Sequence, residues 1–366
     1  MRRAIMPRLP MLLVLILVAA AVAWPAAGFG DDLITDVRLS NPVLDLKDDN
    51  AVRISWRLDS SARLNAFICN LDGEIVKKLH KKPEETRGGG SMEWDGRDDD
   101  GLRVPDGAYL PIIQAQSDQR HQLFNSTLQP WGQRVETADI AYDSAMGLIR
   151  YRLNQPALCL IRVGETDGGP FYATVAQWIP RATGTHQEEW NGKDAQGLVR
   201  VAESPKLKIM IDAIALPSTA ILVTGSSRKH RFERGRKERI PLFPPVGSEI
   251  FMHSLHERRT CRDIDIRAEV EDQSENRSGL PVLRAIANAR VEILDPDHLA
   301  HLRREGVEIY AFIDALFVSE IKIEDFPAHI NINTDKLAAG EHVLTINVRG
   351  REDHLGTYSM AVIVEK

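Results

Sequence analysis

At 366 residues the chain is too long for one ordinary sandwich and suits two to three domains of about 100 residues each. Charged residues make up 27% and the net charge is -6, a balance that excludes a globally basic nucleic-acid binder and a disordered acidic tail. The 43% apolar content is enough for several small cores.

The N-terminal stretch differs from all that follows. Arg2, Arg3 and Arg8 precede an uncharged apolar run over 11–22, and Ala26, Ala27 and Gly28 then offer small residues for cleavage. This pattern predicts a secretory signal peptide over 1–28. The run is shorter than the about 20 residues a bilayer crossing needs, and no later segment reaches that length. The expectation is an exported protein, periplasmic or extracellular, with no membrane span once the signal is removed.

From residue 34 the chain alternates, and Asn41 and Pro42 break it before an acidic turn at Asp45, Asp48 and Asp49. Val52, Ile54, Trp56 and Leu58 then share one face and Arg53, Ser55, Arg57 and Asp59 the other, the period of a half-buried strand. Strands are predicted at 64–70 and 75–79 around a hairpin turn at 71–74, and the charged, glycine-rich 84–90 is predicted as a loop. Trp94, an apolar anchor, is followed by Asp95 and Gly96, a tight-turn pair. Asp98, Asp99, Asp100 and Gly101 make a second turn, and 108–115 reads as a strand.

About a hundred residues later an altered copy returns. Ile149, Tyr151 and Leu153 replace Ile54, Trp56 and Leu58, Asp167 and Gly168 mark the hairpin, and Trp190, Asn191, Gly192, Lys193, Asp194 and Gly197 keep the frame of the first copy. The acids at 98 and 100 are taken to give way to Ala195 or Gln196, so geometry rather than charge is what the repeat retains. Ser204, Pro205 and Lys206 stand where the first copy has Gly107, Ala108 and Tyr109, and this divergence implies that each copy faces its own neighbour.

The sequence WDGRDDDGLRVPDGAYLPIIQA, with the strands and hairpin before it, resembles the FlgD-type immunoglobulin-like domain. The resemblance covers 33–116 well and 140–214 more weakly, with Asn191 for the aspartate. It implies small, non-catalytic β-sandwiches of a kind that recurs in exported bacterial proteins. A flagellar role is not expected, because no hook-binding segment precedes the first sandwich.

Residues 228–239 hold seven cations: Arg228, Lys229, Arg231, Arg234, Arg236, Lys237 and Arg239. The stretch reads as a solvated linker, with contact to an anionic polymer or glycan as the functional alternative and Trp131 or Trp178 as nearby aromatics. Aromatics within it are too sparse for base stacking. Alternation resumes with Ile264, Ile266, Ala268 and Val270 and continues to residue 364 as seven short strands, the spacing of a third sandwich. A short helix is expected near 297–304. The closing stretch LAAGEHVLTINVRGREDHLGTYSMAVIVE is similar to the last strands of bacterial immunoglobulin-like domains.

Candidate sites are few. His298, His301 and Glu305, and His253, His256 and Glu257, are compact but lack diagnostic zinc spacing. The acidic loop 95–101 fails the EF-hand template, since Gly96 fills a required acid position; a weak calcium site helped by Asp45, Asp48 and Asp49 is the alternative to plain turn chemistry. Cys69, Cys159 and Cys261 fall one to a module. The first two read as strand hydrophobes with an interdomain bridge as the alternative, and Cys261 lies beside Arg258, Arg259 and Arg262. No nucleophile elbow, phosphate loop or dinucleotide fingerprint occurs.

The sequence therefore predicts an all-β protein of tandem immunoglobulin-like β-sandwiches: modules at 31–130, 131–226 and 261–366, with a basic linker at 227–260. No enzyme activity, cofactor or metal is expected. The expected partners are other envelope or extracellular proteins, with polysaccharide as the alternative and no nucleic acid.

Overall fold

The computed structural model describes residues 32–48, 50–128, 131–226, 238, 240, 263–271, 279–296, 299–300, 302, 306–350 and 354–366. The predicted signal peptide, Asp49, His253, His256, Cys261, His298, His301, Glu305 and all seven cations of 228–239 lie outside the described residues. Leu33–Lys366 form one compact unit.

The first sandwich is built from β1 (Ile34–Leu39), β2 (Val43–Asp45), β3 (Val52–Leu58), β4 (Ala62–Asn70), β5 (Ile75–Glu85), β6 (Gly88–Trp94), β7 (Gly107–Gln116) and β8 (His121–Asn125). Strand β3 buries Val52, Ile54, Trp56 and Leu58 and leaves Arg53 and Arg57 in solvent, as its alternation requires. Two differences from the sequence reading concern local signals. The glycine-rich 84–90 is strand on both sides of a short turn, because Gly88, Gly89 and Gly90 pair with Leu58, Arg57 and Trp56. Asp45 ends a strand rather than sitting within a turn.

The second sandwich repeats the order with β9 (Thr137–Asp143), β10 (Leu148–Leu153), β11 (Ala157–Glu165), β12 (Phe171–Arg181), β13 (Gly184–Glu189) and β14 (Leu207–Ala215). Its sheets run β9-β10-β13 and β12-β11-β14, matching β1-β3-β6 and β5-β4-β7 of the first. The next strand, β15 (Ile221–Thr224), leaves it. Although these residues belong to the second module in chain order, β15 runs parallel to β2 and antiparallel to β7, so the first module's larger sheet reads β2-β15-β7-β4-β5, with β8 also on β7. The chain thus returns to its first sandwich after completing the second.

The third sandwich has β16 (Ile266–Val270), β17 (Val282–Arg284), β18 (Ile286–Ile293), β19 (Val307–Ile313), β20 (Leu316–Ile323), β21 (Ala328–Asn333), β22 (Gly340–Arg349) and β23 (Leu355–Glu365), in sheets β16-β18-β21 and β17-β23-β22-β19-β20. Each sandwich has its own apolar core, around Ile54, Trp94 and Ile113 in the first, Ile149, Tyr151 and Ile161 in the second, and Ile309, Ile332 and Ile346 in the third. The fold is all-β, a run of immunoglobulin-like sandwiches.

A further apolar cluster spans the first two. Leu71, Leu110 and Leu222 meet Leu158, Ile214 and Leu216, with Trp131 between them. Trp131 is 7% exposed, and the partly buried Trp178 packs against the same cluster. A dry seam of this kind holds two modules in a fixed relation, because parting them re-exposes the apolar surface of both.

Candidate functional site

The turn that organises the sequence recurs in both copies with the same anchoring bonds. Trp94 and Trp190 are 1% and 7% exposed. Each indole Nε1 donates across the turn to a carbonyl 2.8 Å away, that of Arg97 or Lys193. Asp95 and Asn191 accept the backbone N–H two residues on, at 3.1 and 3.0 Å. Gly96, Gly101, Gly192 and Gly197 take φ of 75, 78, 77 and 76°, the left-handed region that favours glycine.

The equivalence keeps Asp194 in the frame and corrects one of the two acids read as lost. Asp98 matches Asp194, and the acids lost are Asp99 and Asp100, replaced by Ala195 and Gln196. Asp98 N–H bonds the Leu102 carbonyl, as Asp194 N–H does that of Val199. Both carboxylates are buried, and each Oδ1 accepts backbone N–H groups, from Asp100 and Leu102 in one copy and Val199 in the other. A buried acid is therefore part of what the repeat keeps, as a cap on the turn's donors.

Asp45, Asp95, Asp98 and Asp99 each spend an oxygen on a nearby backbone N–H. Among the described residues no three His, Cys, Asp or Glu side chains gather as metal ligands would.

The divergence of the second copy has a structural reason. Gln196, standing where the first copy has Asp100, accepts the Ser359 N–H with its Oε1 at 2.9 Å. Beside it Asn347 of β22 grips the first residue of β12: Asn347 Oδ1 accepts the Phe171 N–H at 2.8 Å, and Asn347 Nδ2 donates to the Phe171 carbonyl at 2.8 Å. Thr357 Oγ1 donates to that carbonyl as well, at 2.9 Å, and Arg162 pairs with Asp263 at 3.0 Å. The outer face of β22 and β23 is thereby covered, and Thr345, Asn347 and Ser359 are buried. At the equivalent place on the first module the Ile75 N–H donates to the Glu238 carbonyl at 2.9 Å.

Sequence reasoning missed this second joint because polar residues alternating along a strand look the same whether water or another module covers them. It also missed a charged cluster in the second core. Tyr151 donates to Glu188 at 2.9 Å, and Arg181 grips the same carboxylate with two nitrogens at 2.8 and 2.9 Å, where the first module has Trp56 and Met92 in place of Tyr151 and Glu188. Cys69 and Cys159 are buried and free, which overturns the bridge between them, and burial pushes both thiols up to about 12. Such thiols are packing groups rather than nucleophiles.

His342 lies between two acceptors. His342 presents Nδ1 to an Asp314 carboxylate oxygen and Nε2 to the Ala338 carbonyl at 2.9 Å, and both partners only accept. The bond to Asp314 is the main cause that raises its pKa above the ordinary 6.5. The contribution to stability is full below that ordinary value and is lost as pH rises through the higher folded value. Melting temperatures across pH 5–9 should therefore show the gap between wild type and His342→Gln narrowing toward alkaline pH; parallel profiles would show that the pair adds nothing.

Residues 42–119 match the family model of the FlgD Ig-like domain. The FlgD-type match is a minor part of the chain and includes β2 through β7 with the Trp94 turn. No curated protein is similar enough to count as a relative. Among solved structures, the central fibronectin-III array of RIM-binding protein overlaps 91% of this chain and 97% of its own at 10% identity, with a TM-score of 0.19. The chicken CNTN1 FN1-FN3 domains give 9% identity over 91% and 98%, with a TM-score of 0.20. A tetra-tandem repeat from the extending region of a large adhesion protein gives 12% over 91% and 74%, also at 0.20. Scores of this size mark no shared arrangement along the whole chain.

Proposed function

We propose that this protein is an exported, non-catalytic array of three modules that presents sandwich loops and strand edges to other proteins in the periplasm or at the cell surface. Its FlgD-type first module is followed by a divergent second copy, a basic linker and a third immunoglobulin-like module, and the first module borrows Ile221–Thr224 from the segment that leaves the second. The observation that carries the reading is the pair of joints. Leu110, Leu158 and Leu216 fix the first module on the second, and Asn347 with Gln196 fixes the second on the third. Joints of this kind turn three small domains into one support with its edges set in place, as contact with a protein surface requires. Asp95, Asp98 and Asp194 of the duplicated turn are engaged with their own backbone, which supports a structural role for them.

The seven cations of 228–239 on a chain of net charge -6 favour an anionic polymer as the second reading. One experiment separates the two. Capture from a native envelope extract with the full chain should return the same proteins with wild type and with a variant in which Arg234, Arg236 and Lys237 are neutralised. Recovery of anionic polysaccharide alone, abolished by that variant and by salt, would replace the first reading with the second. Repeated failure to recover any protein would end the first.

A further inference from the structure

We propose that β20 pairs with β20 of a second copy of this chain, antiparallel about a two-fold axis at Ile321, joining the five-stranded sheets of two molecules edge to edge. Strand β20 closes its sheet: β19 lies on one side, and among the described residues no strand lies on the other. An open edge is a row of unpaired backbone donors and acceptors, ready for another strand unless the chain blunts it.

Several other edges are blunted or partly occupied. In β1 and β9 an aspartate at positive φ, Asp36 or Asp139, accompanies a register shift that bends the strand. The first residue of β12 is taken by Asn347 and that of β5 by Glu238. Strands β2 and β17 span three residues each.

The side chains of β20 specify what fits. Phe312 pairs with Phe317 and Ala311 with Ser319, which leaves Val318 as a bulge and 319–323 as a regular ladder. That ladder is centred on Ile321, with Glu320 on one side and Lys322 on the other, both exposed, and neither forms an ion pair with the described residues. Antiparallel pairing about Ile321 sets each Glu320 opposite the Lys322 of the other copy, twice by symmetry, with Ile321 against Ile321. Moving the axis one residue either way sets Glu320 against Glu320 or Lys322 against Lys322, which like-charge repulsion disfavours.

A similar alternation exists in β16, but Arg267 and Glu269 there are already spent on each other at 2.6 Å. Beyond the bulge, Leu316 and Phe317 are 61% and 55% exposed, apolar surface at the end of the same strand that a neighbouring molecule would draw from water. This inference does not depend on which envelope protein the array meets.

The test is sedimentation of the full chain over a dilution series. Wild type should show a concentration-dependent dimer. Glu320→Lys alone and Lys322→Glu alone should each weaken it by about tenfold or more. The double reversal should restore it, and so should mixing the two single variants, whose charges are again complementary. Circular dichroism melts confirm that these exposed substitutions leave the fold intact. Wild type that stays monomeric at the highest soluble concentration overturns the proposal. So do single variants that dimerise like wild type, or a double reversal no tighter than the singles.

Discussion

Trp94→Ala should cost the first sandwich about 3–5 kcal/mol, the largest effect expected of any single change in that module. The indole lies in the core beside Ile54 and Ile113, with its ring 5.2 Å from that of Tyr109 and tilted by 60°. Truncation loses the apolar contact, leaves a cavity between two sheets that cannot close over it, and frees the Arg97 carbonyl that Nε1 engages. Trp190→Ala should follow in the second sandwich at the lower end of the range. Trp190 is slightly more exposed and stacks instead on Tyr142, at 4.9 Å and 58°. Trp94→Phe separates the contributions: most of the ring remains and the hydrogen bond goes, so about 1 kcal/mol of the loss should appear from that bond, with a smaller packing loss. Denaturant midpoints with unchanged slope give these values. A Trp94→Ala midpoint equal to wild type would mean that the turn holds without its anchor.

The turn was legible because its parts are local. A tryptophan, an Asx residue two before a backbone donor, and two glycines at positive φ need only a few residues of chain, and both copies carry them. The strands of the first core were legible for the same reason, since Val52 to Leu58 state their own alternation. What was not legible required a second element. Ile221–Thr224 is an apolar run that fits either of two neighbouring sheets, and only pairing with β2 and β7 decides which. The glycines at 88–90 carry no side-chain period, so their pairing with Leu58, Arg57 and Trp56 leaves no trace in sequence. Which two of Asp98, Asp99 and Asp100 the second copy lacks was not legible, because a run of three aspartates offers several registers and hydrogen bonding picks one.

Asn347→Leu should loosen the joint between the second and third modules while leaving the core of each intact. Leucine shares the branching of asparagine at Cγ but is larger, so at this buried position the change removes both hydrogen bonds and adds bulk to the joint. The Phe171 carbonyl keeps Thr357 Oγ1, but the Phe171 N–H has Asn347 Oδ1 as its partner and would be left buried and unsatisfied, at a cost of about 1–3 kcal/mol. Because Asn347 lies on the outer face of β22, away from Ile346 and Val348 in the core, that cost falls on the contact between modules. Amide exchange at Phe171 should accelerate about tenfold for each 1.4 kcal/mol lost, while exchange within β11 and β18 stays unchanged. Asn347→Asp sharpens the result: it keeps an acceptor for the N–H but turns an acceptor toward the Phe171 carbonyl. If the amide is needed for both of its bonds, Asn347→Asp should loosen the joint as well; protection at Phe171 equal to wild type in both variants would show that the modules are held elsewhere along the contact.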